Sequence, residues 1–146
     1  MKKYSLILGI SLMLSQTALA ETTIEWTQAG CQSVGGTWIT AKNGTNFCRG
    51  PVQTNWFNAL IFCKSIGHNL VSFEHLCPGI SVAPNSAKGA CANANNIGNV
   101  WVWTGMPWST NQALHVDLSN GRVYADYGAG SGATRNTVAF YALCEE

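Results

Sequence analysis

Charge is scarce in this chain: of 146 residues only 10% are charged, eight Lys and Arg against seven Asp and Glu. No basic cluster occurs, so nothing draws the chain electrostatically to nucleic acid or to an anionic membrane. Beyond residue 20 no stretch approaches the ~20 apolar residues that a membrane-spanning helix needs. No two cysteines stand at C-x₂₋₄-C spacing, which removes the usual frame of a structural zinc site. Serines lack the G-x-S-x-G setting of a hydrolase nucleophile. His68, His75 and His115 share no ligand-type spacing and read as lone surface or half-buried side chains. Glu74, Asp117 and Asp126 are too scattered to assemble the acid pair of a glycoside hydrolase. Internal repeats and low-complexity tails are missing as well. Neither enzyme chemistry nor a cofactor is expected.

What the chain does have begins with an export signal. Lys2 and Lys3 precede an apolar run over residues 6–14, and Ala18-Leu19-Ala20 forms a small-residue cleavage site, the layout of a signal peptide over residues 1–20. The mature chain, residues 21–146, is then expected in the periplasm or secreted beyond it. Without Lys2 and Lys3 it carries six basic and seven acidic side chains, and Asn, Ser, Thr and Gly supply most of its polarity. Its length suits one domain with a core of its own. All six cysteines fall in this part, at Cys31, Cys48, Cys63, Cys77, Cys91 and Cys144. An even count behind an export signal reads as disulfides, and six cysteines allow fifteen pairings among which spacing does not choose.

Residues 21–50 read as an opening hairpin. Gly35-Gly36-Thr37-Trp38-Ile39-Thr40 is β-prone, Lys42-Asn43-Gly44-Thr45 supplies an Asn-Gly turn, and Asn46-Phe47-Cys48 returns toward Cys31, so that a Cys31–Cys48 bond would staple it. Asn43-Gly44-Thr45 also fits an N-glycosylation acceptor, but the turn explains it better. A helix follows. Thr54 or Asn55 can cap its start, Gly67 stops it, and Trp56, Ala59, Leu60, Cys63 and Ile66 recur at helical spacing as one buried face. A shorter helix starts at Ser72, turns Phe73 and Leu76 inward, and ends at Cys77-Pro78. Residues 79–99 form a long loop, pinned if Cys77 pairs with Cys91. Strand patterns return at 100–106, and then at 114–118 and 122–124 around a Ser119-Asn120-Gly121 turn. Residues 128–136 make a second Gly-rich loop, and residues 137–144 a closing strand.

Three segments, in this order, resemble a known frame. Trp56-x-x-Ala59-x-x-x-Cys63-x-x-x-Gly67-x-x-Leu70-Val71-Ser72 is similar to the first helix and following strand of C-type lectin-like domains. Trp103-Thr104-Gly105-Met106 stands where that family has its Trp-Ile-Gly-Leu motif, and Ala142-Leu143-Cys144-Glu145 resembles its closing strand. The resemblance covers residues 26–146. It implies an α+β, C-type lectin-like fold of two short helices with antiparallel sheets and long loops. It further implies Cys63–Cys144 and Cys31–Cys48 bonds, with Cys77–Cys91 as a local addition. The family's second bridge, near the C-terminus, has no cysteines here to form it. Sugar-binding members hold Ca²⁺ with Glu-Pro-Asn or Gln-Pro-Asp and with Trp-Asn-Asp, and none of these occurs in this chain. Between Cys77 and Cys144 the carboxylates are Asp117 and Asp126. An amide set of Asn93, Asn95, Asn96 and Asn99 is a poor substitute for an ion that takes six to eight oxygens, several of them anionic. No family-type calcium site, and no other metal site, is expected.

The expected function is recognition of a protein or glycan, including one on a cell surface, through the regions 79–99 and 104–136. Trp101 and Trp103 share one face of a strand, and the resemblance to C-type lectin-like domains implies that Trp103 belongs to the core. Trp108 follows Pro107 in a turn, where an exposed indole can stack on a sugar or anchor a protein. Tyr124, Asp126, Tyr127, Arg135 and Asn136 flank the second Gly-rich loop and offer aromatic faces, an amide and a guanidinium fork to a polar ligand. A solvated turn is the competing reading of that group. The competing function is a structural or assembly subunit of a surface appendage or envelope complex. Nucleic-acid binding and membrane insertion are not expected.

Overall fold

The computed structural model of the chain describes residues 23–81, 86–125, 135 and 137–146. Thr27 opens the first element: its hydroxyl accepts the Gly30 N–H and so satisfies a donor that the first turn of a helix leaves unpaired. That helix, α1 (Gln28–Ser33), buries Cys31. The hairpin follows as β1 (Thr37–Thr40) and β2 (Asn46–Thr54), with Trp38 opposite Cys48. β2 slips register between Arg49 and Gln53, where Pro51 has no N–H to give the ladder. Asn55 caps α2 (Trp56–Ser65) by accepting from the Asn58 N–H at 2.9 Å. Gly67, at φ 84°, ends it in the left-handed conformation that favours glycine.

Two short elements come next, β3 (Asn69–Leu70) and α3 (Phe73–Leu76). Ser72 caps α3, and Glu145 accepts the Ser72 N–H with one oxygen while its other meets the His75 ring at 2.7 Å. A 3₁₀ turn (Ala92–Ala94) precedes β4 (Trp101–Pro107), β5 (Ala113–Asp117), β6 (Arg122–Tyr124) and β7 (Phe140–Glu145). Seven strands form one sheet in the order β1-β2-β7-β4-β5-β6, with β3 also paired to β7. β4 runs parallel to β7, and the other pairs are antiparallel.

The architecture is thus α+β and disulfide-stapled, with two corrections to the expected form. Among the described residues three short helices are present rather than two, because α1 is set by its cap and by Cys31 rather than by an apolar period, and a single mixed sheet replaces antiparallel sheets. The strands expected at 100–106, 114–118 and 122–124 are present as β4, β5 and β6, within a residue of those bounds.

Three bonds join Cys31 to Cys48, Cys63 to Cys144 and Cys77 to Cys91. Cys48 and Cys144 are register partners on neighbouring strands, so α1 and α2 are tied to adjacent points of the sheet. The first bond has little room. A Cβ at Gly36 would lie 2.7 Å from the Cys31 sulfur and 2.8 Å from that of Cys48, so only glycine fits. Closing the 81-residue separation between Cys63 and Cys144 contributes roughly 4.5 kcal/mol by loop-closure entropy.

The core falls into two groups. Phe47, Val71, Leu76, Leu114, Val116 and Leu143 belong to one; Trp56, Ala59, Cys63, Trp103, Phe140 and Ala142 belong to the other. Two indoles bind across the junction of β2, α2 and β4. Trp56 Nε1–H donates to the Thr104 carbonyl and Trp103 Nε1–H to the Thr54 carbonyl, each at 2.8 Å. Trp103 is core, as the resemblance implied.

Asn93, one of the four amides weighed as an ion ligand, is a latch. Its side-chain N–H donates to the Leu76 carbonyl at 2.9 Å, and its side-chain oxygen accepts the Asn43 N–H at 2.9 Å. The Lys42 N–H adds a bond to its main-chain carbonyl at 3.0 Å. Asn93→Ala is expected to strand both main-chain groups and to lower unfolding free energy by about 1–3 kcal/mol. Urea titration of the oxidised variant measures this, and a loss under a few tenths of a kcal/mol would deny the latch.

Candidate functional site

The first candidate is the reversal between β4 and β5. Trp108 and Ser109 both point their N–H groups at the Gln112 carbonyl, at 2.9 and 3.3 Å. The Ser109 hydroxyl donates to the Gln112 side chain at 2.9 Å. Trp108 stands 42% exposed at this tip, beside the exposed Met106. Arg135 fixes the tip in place. Its Nε–H donates to the Gln112 carbonyl at 2.9 Å, its Nη2–H to the Ser109 carbonyl, and its backbone N–H to the Asn111 carbonyl at 2.8 Å. The guanidinium also lies 4.8 Å over the Trp56 ring, and the Arg135 carbonyl accepts the Trp56 N–H. This arginine clasps the turn to the start of α2 and so positions Trp108.

The second candidate is an aromatic pile on β4, β5 and β6. The half-buried Tyr124 ring stacks on Trp101 at 5.1 Å and on His115 at 5.5 Å, and the Arg122 guanidinium lies 4.9 Å from it. Tyr124 is therefore held in a stack. Asp126, Tyr127 and Asn136 lie outside the described residues.

His115 requires a correction, since it is fully buried rather than at the surface or half-buried. Every residue of β5 is buried, and the register sets His115 between Trp103 and Tyr124. Phe140 packs on its face at 4.4 Å. Neither ring nitrogen completes a hydrogen bond. Burial lowers its pKa from 6.5 to about 4, and the nearby Ala113 backbone offsets only part of that effect. His68 is buried too, with Nε2 3.0 Å from the Ile24 carbonyl, whereas His75 is exposed.

Asp117, the one described member of the two central carboxylates, is fully engaged. Its oxygens accept the Ser119 N–H and hydroxyl and the Asn120 side-chain N–H, at 2.9, 2.6 and 2.8 Å. It shapes the turn into β6. Among the described residues, no three His, Cys, Asp or Glu side chains gather as a metal-binding group.

A cleft of about 670 Å³ was not foreseen from the sequence. Gln53 at the end of β2, Asn99 and Trp101 at the start of β4, and Thr137, Phe140 and Tyr141 leading into β7 line it. Antiparallel pairing sets Gln53 opposite Tyr141, and parallel pairing sets Val102 beside the same tyrosine. The side chains of Gln53, Asn99 and Thr137 and the Tyr141 hydroxyl make no hydrogen bond with a described residue. Arg49 covers one face of the Tyr141 ring at 4.5 Å, and among the described residues that line the cleft the tyrosine is the only ionisable group. The arrangement offers amide and hydroxyl groups beside aromatic rings. No local pattern announces it, because three distant segments meet only through sheet pairing.

No protein-family model, curated protein or solved structure matches the chain. Among the described residues no helix is long and apolar enough to cross a membrane.

The buried His115 makes a pH prediction with a definite sign. Its folded pKa, near 4, lies below the unfolded value of 6.5, so the unfolded chain binds the proton first. Its contribution is complete above pH 6.5 and is lost as pH falls toward 4, at up to about 1.4 kcal/mol per pH unit. Unfolding free energies of wild type and His115→Phe, compared at pH 7.5 and 4.5, should differ in slope, the variant losing less on acidification. Parallel slopes would refute this.

Proposed function

We propose that this protein is an exported, disulfide-stapled recognition module of C-type lectin-like build that binds a glycan without calcium. The cleft between β2, β7 and β4 carries the reading. Its rim groups Gln53, Asn99, Thr137 and Tyr141 lack hydrogen-bond partners among the described residues, and they sit beside aromatic side chains. A neutral, hydroxyl-rich ligand suits such a site: amides donate and accept at once, and rings cover the apolar face of a sugar. Among the described lining residues no carboxylate or basic side chain offers a strongly charged ligand an ion pair. Independence from calcium is supported by the missing family motifs and by the engagement of Asp117 and Asn93 in structural bonds. Residues 1–20, as a signal, and three disulfides both suit an oxidising compartment outside the cytosol. Trp108, held out by the Arg135 clasp, adds a contact for a longer ligand or for a protein that bears the glycan.

A second reading, an assembly subunit, draws on α2. Phe57 and Ile61, four residues apart on one helix face, are 47% and 64% exposed, and contiguous exposed apolar surface often marks a contact between proteins. Size exclusion of the oxidised protein at micromolar concentration separates the two. A monomer is expected for the recognition module, and a stable oligomer would favour assembly.

A glycan array, probed with and without chelator, tests the main reading. Binding is expected to survive chelation. Gln53→Ala combined with Asn99→Ala should weaken it by about tenfold or more, from two hydrogen bonds of roughly 1 kcal/mol each, at unchanged thermal stability. Signal abolished by chelator would overturn calcium independence. Loss on Trp108→Ala with the cleft variant unaffected would move the site to the turn.

A further inference from the structure

A second cavity, of about 600 Å³, opens between α3, the chain leaving it, and the end of β4. Its lining is mainly apolar, from Leu70, Phe73, Ile80 and Met106. Leu70 and Phe73 are buried in the core and supply a fixed floor, whereas Met106 is 39% exposed at the rim. Among the described residues that line it, one is ionisable, Glu74. Its carboxylate has no hydrogen-bond or ion-pair partner among the described residues. The other acid near α3, Glu145, is taken by His75 and the Ser72 N–H.

We propose that this cavity binds a small organic amine: an ammonium group carried on an aryl or alkyl body. The volume lies within the range of small-molecule sites, about 300–1,000 Å³. An apolar body gains by leaving water against Leu70, Phe73 and Ile80. The ammonium supplies the charge that Glu74 lacks, and an anion of the same shape meets repulsion. Met106, unbranched and polarizable, adapts to bodies of different outline. An extended peptide is disfavoured, because Pro107 at this end of β4 has no N–H to receive an added strand. The neutral cleft proposed for glycan shares no residue with this cavity, so the two sites stand or fall separately.

Nuclear magnetic resonance of the disulfide-bonded protein, with methyl groups of Ile80 and Met106 observed, provides the test. Three probes of one shape are titrated: phenethylammonium, 2-phenylethanol and 3-phenylpropionate. The amine is expected to shift both methyls saturably at millimolar concentration, the alcohol to bind more weakly, and the carboxylate weakest. Glu74→Gln should weaken the amine by about fivefold, the scale of one exposed ion pair, while leaving the alcohol unchanged. Met106→Trp should crowd the rim and weaken amine and alcohol together. Equal binding of all three probes, a Glu74→Gln variant that holds the amine as well as wild type, or shifts confined to other methyls would overturn the proposal. So would an absence of shifts in a folded, fully oxidised sample.

Discussion

Cys48 and Cys144 face each other on neighbouring strands, and each sends its sulfur to a different helix, Cys48 to Cys31 of α1 and Cys144 to Cys63 of α2. This opposed pair fixes the register of β2 against β7. Side chains alternate across a sheet, so a one-residue slip would turn every core residue of β7 to the wrong face. The same register carries Gln53 to Tyr141, beyond the bulge at Gly50-Pro51. The uncharged cleft is therefore a consequence of where the sulfurs are joined, although no cysteine lines it.

A second set of contacts links the helix to the far hairpin. Trp56 and Trp103 exchange indole bonds with the carbonyls of Thr104 and Thr54, and Arg135 lies on Trp56 while holding the 108–112 turn. A neutral hydrogen bond contributes only about 1 kcal/mol net, but a buried carbonyl or indole left alone costs more. The start of α2, the middle of β4 and the exposed Trp108 consequently form one unit. Residues that seem free in a linear reading, Arg135 above all, are parts of its scaffold.

Some of this was legible beforehand. The face of α2, a cap at Thr54 or Asn55, the Gly67 stop and the start of α3 at Ser72 each have a local cause, visible in a few neighbouring residues, whereas the burial of Trp103 followed from the resemblance. The bonds Cys63–Cys144 and Cys31–Cys48 followed from resemblance rather than spacing, and the structure contains both. What stayed hidden depends on tertiary context. α1 has six residues and no apolar period, β2 runs on through a proline by bulging, and His115 is buried because its whole strand is central. Gln53, Asn99 and Thr137 look like ordinary surface polar residues until three strands bring them together.

The bond pattern also constrains how the molecule is made. Cys77–Cys91 is nested inside Cys63–Cys144. A ribosome delivers Cys144 after the other five cysteines, so the outer linkage must wait until the whole span from residue 63 to residue 144 has been made. Thiols oxidised strictly in order of appearance would join Cys31 to Cys48 correctly, and would then mispair Cys63 with Cys77 and Cys91 with Cys144. Biogenesis therefore requires either tertiary structure before oxidation or a thiol–disulfide isomerase that repairs the two wrong crosslinks.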